Sequence, residues 1–227
     1  MEAGYSRKLS DKFGLGLTVR YINSRLADNS TTGDYKAGSS VAADLGFYYT
    51  GSEEWTFGAA LTNLGAKINY GASSDKNYIP ANLVIGAVYT ETVDKDNKIS
   101  LGIDLNKLLV PTPPDESNTQ AVQDYNNQSV VSSWFKSFGD APGGFREELK
   151  EVQIGLGAEY GYKDQFFLRV GYFTESKTKG ERNYVTAGVG FKYKATGLNF
   201  SYLIPTQDDN LNALKNTLRL SAVFDFN

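Results

Sequence analysis

Phe13-Gly14-Leu15-Gly16-Leu17-Thr18-Val19-Arg20-Tyr21 places a large apolar side chain at every second position and a glycine, threonine or arginine between them. A period of two gives an extended chain two faces of unlike chemistry. The same alternation returns at Val41 to Tyr49, Trp55 to Leu61, Leu83 to Tyr89, Ile99 to Leu105, Val152 to Tyr160, Phe166 to Tyr172, Val185 to Tyr193, Leu198 to Ile204 and Leu218 to Phe226. In a chain that is 41% apolar, so long a series of same-face apolar positions has a chance probability of roughly 10⁻¹⁷. The fold class is all-β.

The opposite face separates a soluble sandwich from a membrane barrel. It carries Gly14, Gly16, Thr18 and Arg20 in the first segment, Ser100, Gly102 and Asp104 in another, and Thr186, Gly188, Gly190 and Lys192 further on. In a soluble sandwich the apolar face points inward and the polar face is long, charged and solvated, with little use for so much glycine. A transmembrane barrel inverts the arrangement: apolar side chains meet lipid, and small polar ones crowd the lumen. The sequence predicts an antiparallel transmembrane β-barrel of outer-membrane type.

Loop lengths alternate as such a barrel requires, with short periplasmic turns and long external loops. Ser10 to Lys12, Gly51 to Glu54, Glu91 to Lys98, Gly161 to Asp164 and Ala195 to Gly197 are short; Ala27 to Ser39, Lys67 to Asn82, Leu109 to Lys150, Glu175 to Asn183 and Thr206 to Ala213 are long. An aromatic belt falls at the strand ends adjoining the short turns: Phe13, Tyr49, Trp55, Tyr89, Tyr160, Phe166, Tyr193 and Phe226, with Ile99 and Leu198 departing. Amphipathic rings favour the headgroup zone, so this belt marks the periplasmic interface. Tyr21 and Tyr172 are the candidates at the other end.

Composition removes several alternatives. A mean hydropathy of −0.38 with no long apolar run excludes helical spans. Cysteine is absent, so there is no disulfide framework and no thiolate site. A net charge of −3, with basic residues spread along the chain, gives no footprint for nucleic acid. No secretory signal precedes Ala3 to Leu9, which reads as half of a hairpin turning at Ser10-Asp11-Lys12. Counting that segment gives eleven strands, whereas single-chain bacterial barrels are even in number. Residues 1–227 are therefore expected to form a single β-barrel domain that is incomplete at its N-terminus.

The long external loop, residues 109–150, is the main insertion. Pro111, Pro113 and Pro114 end the preceding strand and favour an extended path. Within Ser129 to Phe138, the spacing of Val130, Val131, Trp134, Phe135 and Phe138 suits one face of a short helix, and Asp140, Pro142, Gly143 and Gly144 break it. These aromatics suit either capture of a partner or a lid packed over the barrel mouth.

Catalysis finds no support. Without histidine there is neither a Ser-His-Asp arrangement nor an Asp-His pair nor a His-based zinc site, and no cofactor or metal is called for. The inward charges Arg20, Asp44, Asp104, Glu159, Arg169, Lys192, Arg219 and Asp225 are read as a lumenal salt-bridge and hydrogen-bond network rather than a carboxylate-pair enzyme. Gly14-Leu15-Gly16 and Gly188-Val189-Gly190 lie inside strands with no helix after them, which is barrel packing and not a phosphate loop.

Several runs carry a resemblance. Gly171-Tyr172-Phe173-Thr174-Glu175-Ser176, Lys179-Gly180-Glu181-Arg182-Asn183-Tyr184, Thr186-Ala187-Gly188-Val189-Gly190 and Gly197-Leu198-Asn199-Phe200-Ser201-Tyr202-Leu203-Ile204-Pro205 resemble the PorV family of the type IX secretion system, as do Asp104 to Pro113 and Asn216 to Ser221. The resemblance covers essentially the whole chain. It implies a barrel of the long-chain fatty-acid-transporter type with fourteen strands, of which about three, with a plug segment, precede Met1. It also implies a bacterial outer-membrane location and a non-enzymatic role. The implied partners are the C-terminal signal domains of secreted cargo, the translocon and surface attachment-complex proteins, and outer-membrane lipid. Long loops on a rigid barrel are suitable binding surfaces, and the expected cargo contacts are Val110, Pro111, Trp134, Phe135 and Phe138 in the large loop with Tyr70 and Tyr78 in another. The alternative is a passive channel for hydrophobic small molecules such as fatty acids, lined by inward Val84, Val88, Phe167 and Phe173. A lipid-modifying enzyme of the same secretion pathway is disfavoured by the missing histidine.

Overall fold

The structure is a computed structural model and describes residues 1–25, 37–70, 76–206 and 217–225. Each alternating segment is a strand: β1 Glu2–Lys8, β2 Phe13–Ser24, β3 Gly38–Thr50, β4 Trp55–Gly65, β5 Asn82–Thr92, β6 Asn97–Leu108, β7 Val152–Tyr162, β8 Phe166–Thr174, β9 Asn183–Tyr193, β10 Thr196–Pro205 and β11 Leu218–Phe224. They pair in sequence order from β1 to β11. β1 and β11 are the ends of that order. Among the described residues no helix is long and apolar enough to cross a membrane.

The expected register is present. Leu17 lies opposite Leu45, Val19 opposite Ala43 and Tyr21 opposite Val41; Leu168 lies opposite Val189 and Val170 opposite Ala187. The apolar face is the exposed one: Leu17, Val19, Tyr21, Val41, Phe57, Ile85, Leu101, Ile103, Leu168, Val170, Val189 and Phe200 all lie open. A soluble monomer rarely exposes a contiguous apolar patch beyond about 300–600 Å², and a face of this extent is stable only against hydrocarbon. Among the described residues the largest fully buried side chains are the serines Ser133 and Ser137 of the long loop.

Short turns have the chemistry of tight reversals. Lys163 and Asp164 both take positive φ, 55° and 52°, the conformation of a two-residue hairpin whose twist matches its strands. Asp94 accepts hydrogen bonds from the amides of Asp96 and Asn97 at 2.8 and 2.9 Å. Within the belt Trp55 tilts against Tyr89 at 5.2 Å; Trp55 also stacks on Phe57 at 5.8 Å and Phe166 meets Phe191 at 5.0 Å, each partner lying outside the belt. Phe226, expected in the same belt, lies outside the described residues.

The chain forms two compact units, one of Met1–Tyr49, Gly58–Val84 and Asn106–Leu149, the other of Thr50–Phe57, Ile85–Leu105 and Lys150–Asn227. The first holds a small apolar core, Ala42, Ile68 and Ile79 with Ile22 and Tyr70 packed on it. Its long loop contains three helices, α1 Thr119–Asn127, α2 Val130–Lys136 and α3 Phe145–Glu148. The second holds β7 to β11 and the ordered loop between β8 and β9.

A candidate binding surface on the long loop

The loop leaves β6 under restraint. The Leu109 amide donates to the Ala81 carbonyl at 2.8 Å, and Leu109 and Pro111 are buried. The Thr112 amide and hydroxyl donate to the two carboxylate oxygens of Asp140 at 3.1 and 3.2 Å, joining the outgoing and returning limbs. Lys107 continues the outward register of Ile99, Leu101, Ile103 and Leu105, yet it is buried because its ammonium donates to Glu148 of α3 at 3.0 Å. The other oxygen of Glu148 accepts from the Ala141 amide at 2.8 Å. A buried ion pair is tolerated when its remaining valences are satisfied in this way.

Two residues of the β4–β5 connection hold α1. Lys67 donates to the carbonyls of Tyr125 and Asn126 at 3.3 and 2.9 Å, in the last turn of α1 where carbonyls lack helical partners and a cation meets the negative end of the dipole. The Tyr78 hydroxyl lies 3.2 Å from the carbonyls of both Tyr125 and Gln128, to which it donates. Its ring packs edge-on against Tyr125 at 5.2 Å and beneath the Lys67 ammonium at 4.0 Å. Burial and the nearby Lys76 pull the Lys67 ammonium below its ordinary range. Burial pushes the phenols of Tyr78 and Tyr125 up. All three are signs of a desolvated joint.

The joint ends at Gln128, one residue before the N-cap of α2. Ser129 caps it, accepting from the Ser132 amide at 3.2 Å. Its buried side is Ser133 and Ser137, whose hydroxyls donate to the helix's own carbonyls at Val130 and Trp134. Small self-satisfied side chains let the helix lie close to what it covers. Trp134 is half-buried. Val131, Phe135 and Phe138, at i, i+4 and i+7, share the outward face, with Phe135 75% and Phe138 51% exposed. Phe145 of α3 is likewise 75% exposed, and the ammonium of the Lys107–Glu148 pair lies 5.8 Å from the Phe138 ring.

The residues expected to contact cargo thus divide. Phe135 and Phe138 stand at the surface; Val110 and Trp134 are half-buried, Pro111 is buried, Tyr70 packs on the Ala42–Ile68–Ile79 core, and Tyr78 braces α1. Lys67, Lys107, Asp140, Phe145 and Glu148 belong to the same assembly but carry no local sequence signal, since their partners lie far along the chain. α1 itself sits in a polar stretch whose apolar residues are only Ala121, Val122 and Tyr125, the half-buried side of the helix.

The charges expected in the lumen form separate clusters. In the first unit Arg20 binds Asp44 and Asn63, each at 2.8 Å, and Glu2 at 3.1 Å. In the second, Arg169 binds Glu159 and, at 2.6 Å, Asn199, while Lys192 pairs with Asp225 at 3.3 Å. Asp104 lies against Gly86 and Gly155, where a Cβ at Gly86 would come within 2.3 Å of its carboxylate. Arg219 is exposed on β11. At the external end of the second unit, buried Glu175 accepts from Arg182 at 2.7 and 3.1 Å and from Gln153 at 2.9 Å.

Residues 1–115 match the sequence model of a family described as type IX secretion system protein PorV. The match ends before α1. No curated protein matches the chain. Among solved structures it is similar to the Pseudomonas putida toluene transporter TodX, with 13% identity and a TM-score of 0.48 over 89% of this chain and 61% of that one. It is also similar to the Ralstonia pickettii toluene transporter TbuX, with 14% identity and a TM-score of 0.47 over 97% and 63%. The chain spans about three fifths of the length of these two structures.

Proposed function

The chain belongs to the family of the type IX secretion system protein PorV, and from that premise we propose that it binds the C-terminal signal domain of secreted cargo on its long external loop and carries it from translocon to surface attachment complex. It is an outer-membrane protein. The observation that supports cargo capture is the outward face of α2 and α3: Val131, Phe135, Phe138 and Phe145 are left open on a scaffold braced by Lys67, Tyr78, Asp140 and the Lys107–Glu148 pair. Rigid presentation of aromatic side chains lowers the ordering cost of binding and concentrates affinity in few residues. The role is binding and transport rather than chemistry.

The test is capture of isolated C-terminal signal domains by the full-length protein, with and without residues Pro113 to Gly144. Capture that disappears with the loop supports the shuttle reading. Undiminished capture moves the site to other loops. No capture by the intact protein makes the hydrophobic-channel reading the leading one, with uptake through the lumen past Phe167 and Phe173 as its own assay.

A further inference from the structure

On the outward face of β8, β9 and β10, Phe166, Val189, Phe191, Leu198 and Phe200, with Gly190 between them, line a shallow groove. Its walls are matched across strands: Phe166 lies opposite Phe191, Phe191 opposite Leu198 and Val189 opposite Phe200. The groove is almost wholly apolar and opens where the sheet meets hydrocarbon. Its lower end adjoins the short turns, the periplasmic side by the rule of short periplasmic connections.

Two cations stand at that end. Tyr162 lies opposite Phe166 and continues the outward series of β7, and the Lys163 ammonium sits 5.1 Å from its ring. Tyr193 continues the outward series of β9 two residues beyond Phe191, and the Lys194 ammonium sits 5.4 Å from its ring. Rings that face lipid therefore hold both ammonium groups on the outer side of the sheet, at the depth of the aromatic belt. The two turns are separated by two strand spacings, about 10 Å. The Lys163 ammonium is held chiefly by the Tyr162 hydroxyl, with a lesser pull from Asp96; of the other neighbouring carboxylates, Asp164 is engaged by Lys98 at 2.8 Å and Asp225 by Lys192 at 3.3 Å.

An apolar groove ending at two cations complements an amphiphile with a hydrocarbon tail and an anionic head. We propose that this face binds one glycerophospholipid of the periplasmic leaflet, with an acyl chain in the groove and the phosphate between Lys163 and Lys194. The groove is continuous with the lipid-facing surface, so the acyl chain replaces bulk hydrocarbon, and the lysines supply the preference for this lipid over its neighbours. The inference rests on the outer-membrane location and not on cargo capture.

The experiment is native mass spectrometry of the full-length protein titrated in detergent with phosphatidylglycerol. It compares wild type, the double variant Lys163→Gln/Lys194→Gln, and Val189→Trp, which fills the groove from the lipid side; heat-modifiable gel migration checks that each is folded. Wild type is expected to retain one lipid after the detergent is stripped. Each lysine removed weakens retention about fivefold, and Val189→Trp abolishes it. Equal retention by all three proteins overturns the site. Loss in Val189→Trp alone overturns the phosphate assignment, and loss of a co-purifying membrane protein with lipid retained assigns the groove to a protein partner instead.

Discussion

The Lys107 ammonium and the Glu148 carboxylate meet at 3.0 Å with side chains only 9% and 7% exposed, and this contact joins the end of β6 to the last helix of the loop. Opening the pair from one side leaves a buried charge, at a cost of about 3–5 kcal/mol. Glu148→Ala also strips the Ala141 amide of its acceptor. The expected outcome is rapid protease nicking within residues 109–150 while the strands stay resistant. Lys107→Met combined with Glu148→Met is expected to be milder than either single change, because no charge is stranded.

Gly180 has φ +134°, and a Cβ built on it would lie 2.5 Å from a carboxylate oxygen of Glu175. Gly180→Ala is therefore strained by its backbone, about 1–3 kcal/mol, and also pushes against the carboxylate that Arg182 and Gln153 hold. Hydrogen exchange in residues 175–183 should accelerate, with amides of β7 and β8 near their short turn unchanged. Arg182→Lys should reproduce part of the effect, since an ammonium cannot make the two parallel bonds of a guanidinium.

The strands were legible because a membrane sheet repeats one local rule. Phe13 to Tyr21 needs no knowledge of its partners to declare its faces, and the turn at Lys163-Asp164 needs only its own dihedrals. The loop is different. Trp134, Phe135 and Phe138 announce a helical face, but which of them is covered is a matter of tertiary packing, and the preceding helix is itself held by Lys67 and Tyr78 from far earlier in the chain. Val130, Ser133, Trp134 and Ser137 turn inward and leave Phe135 outside, an orientation the apolar spacing alone does not give. Lys107 shows the limit most plainly: its register points it at lipid, and Glu148 from a later helix covers it.

The Asp94 carboxylate in the β5–β6 turn is held below the ordinary 3.8 by the Asp96 amide, then by the Asn97 side chain and amide. A carboxylate whose folded value is depressed adds stability that is present above its unfolded value and is lost as pH falls through the folded one. Protection of the Asp96 and Asn97 amides should therefore persist at pH 5 and above and fall as the solution is taken below about 3.8. Asp94→Ala should lose that protection at every pH. Exchange of these amides measured from pH 3 to 6 checks both.

Exposed aromatics serve as binding groups or as bracing, and Phe135 and Tyr78 separate the two. Phe135 is three-quarters exposed, so Phe135→Ser removes little packing and should leave exchange across α1 and α2 unchanged. If Phe135 is a binding anchor, its loss costs about 2 kcal/mol, or roughly thirtyfold in affinity for the signal domain. Tyr78→Phe keeps the ring against Tyr125 but removes the donor to the Tyr125 and Gln128 carbonyls, worth about 0.5–1.5 kcal/mol. It should loosen α1 first and weaken capture only in proportion. Titration calorimetry of both variants, paired with hydrogen exchange, distinguishes contact from scaffold: weakened binding by Phe135→Ser with an unaltered exchange pattern assigns the side chain to the interface. Unchanged affinity removes it from that role, and the outward face of α2 would then need another partner to account for three apolar side chains held open in water.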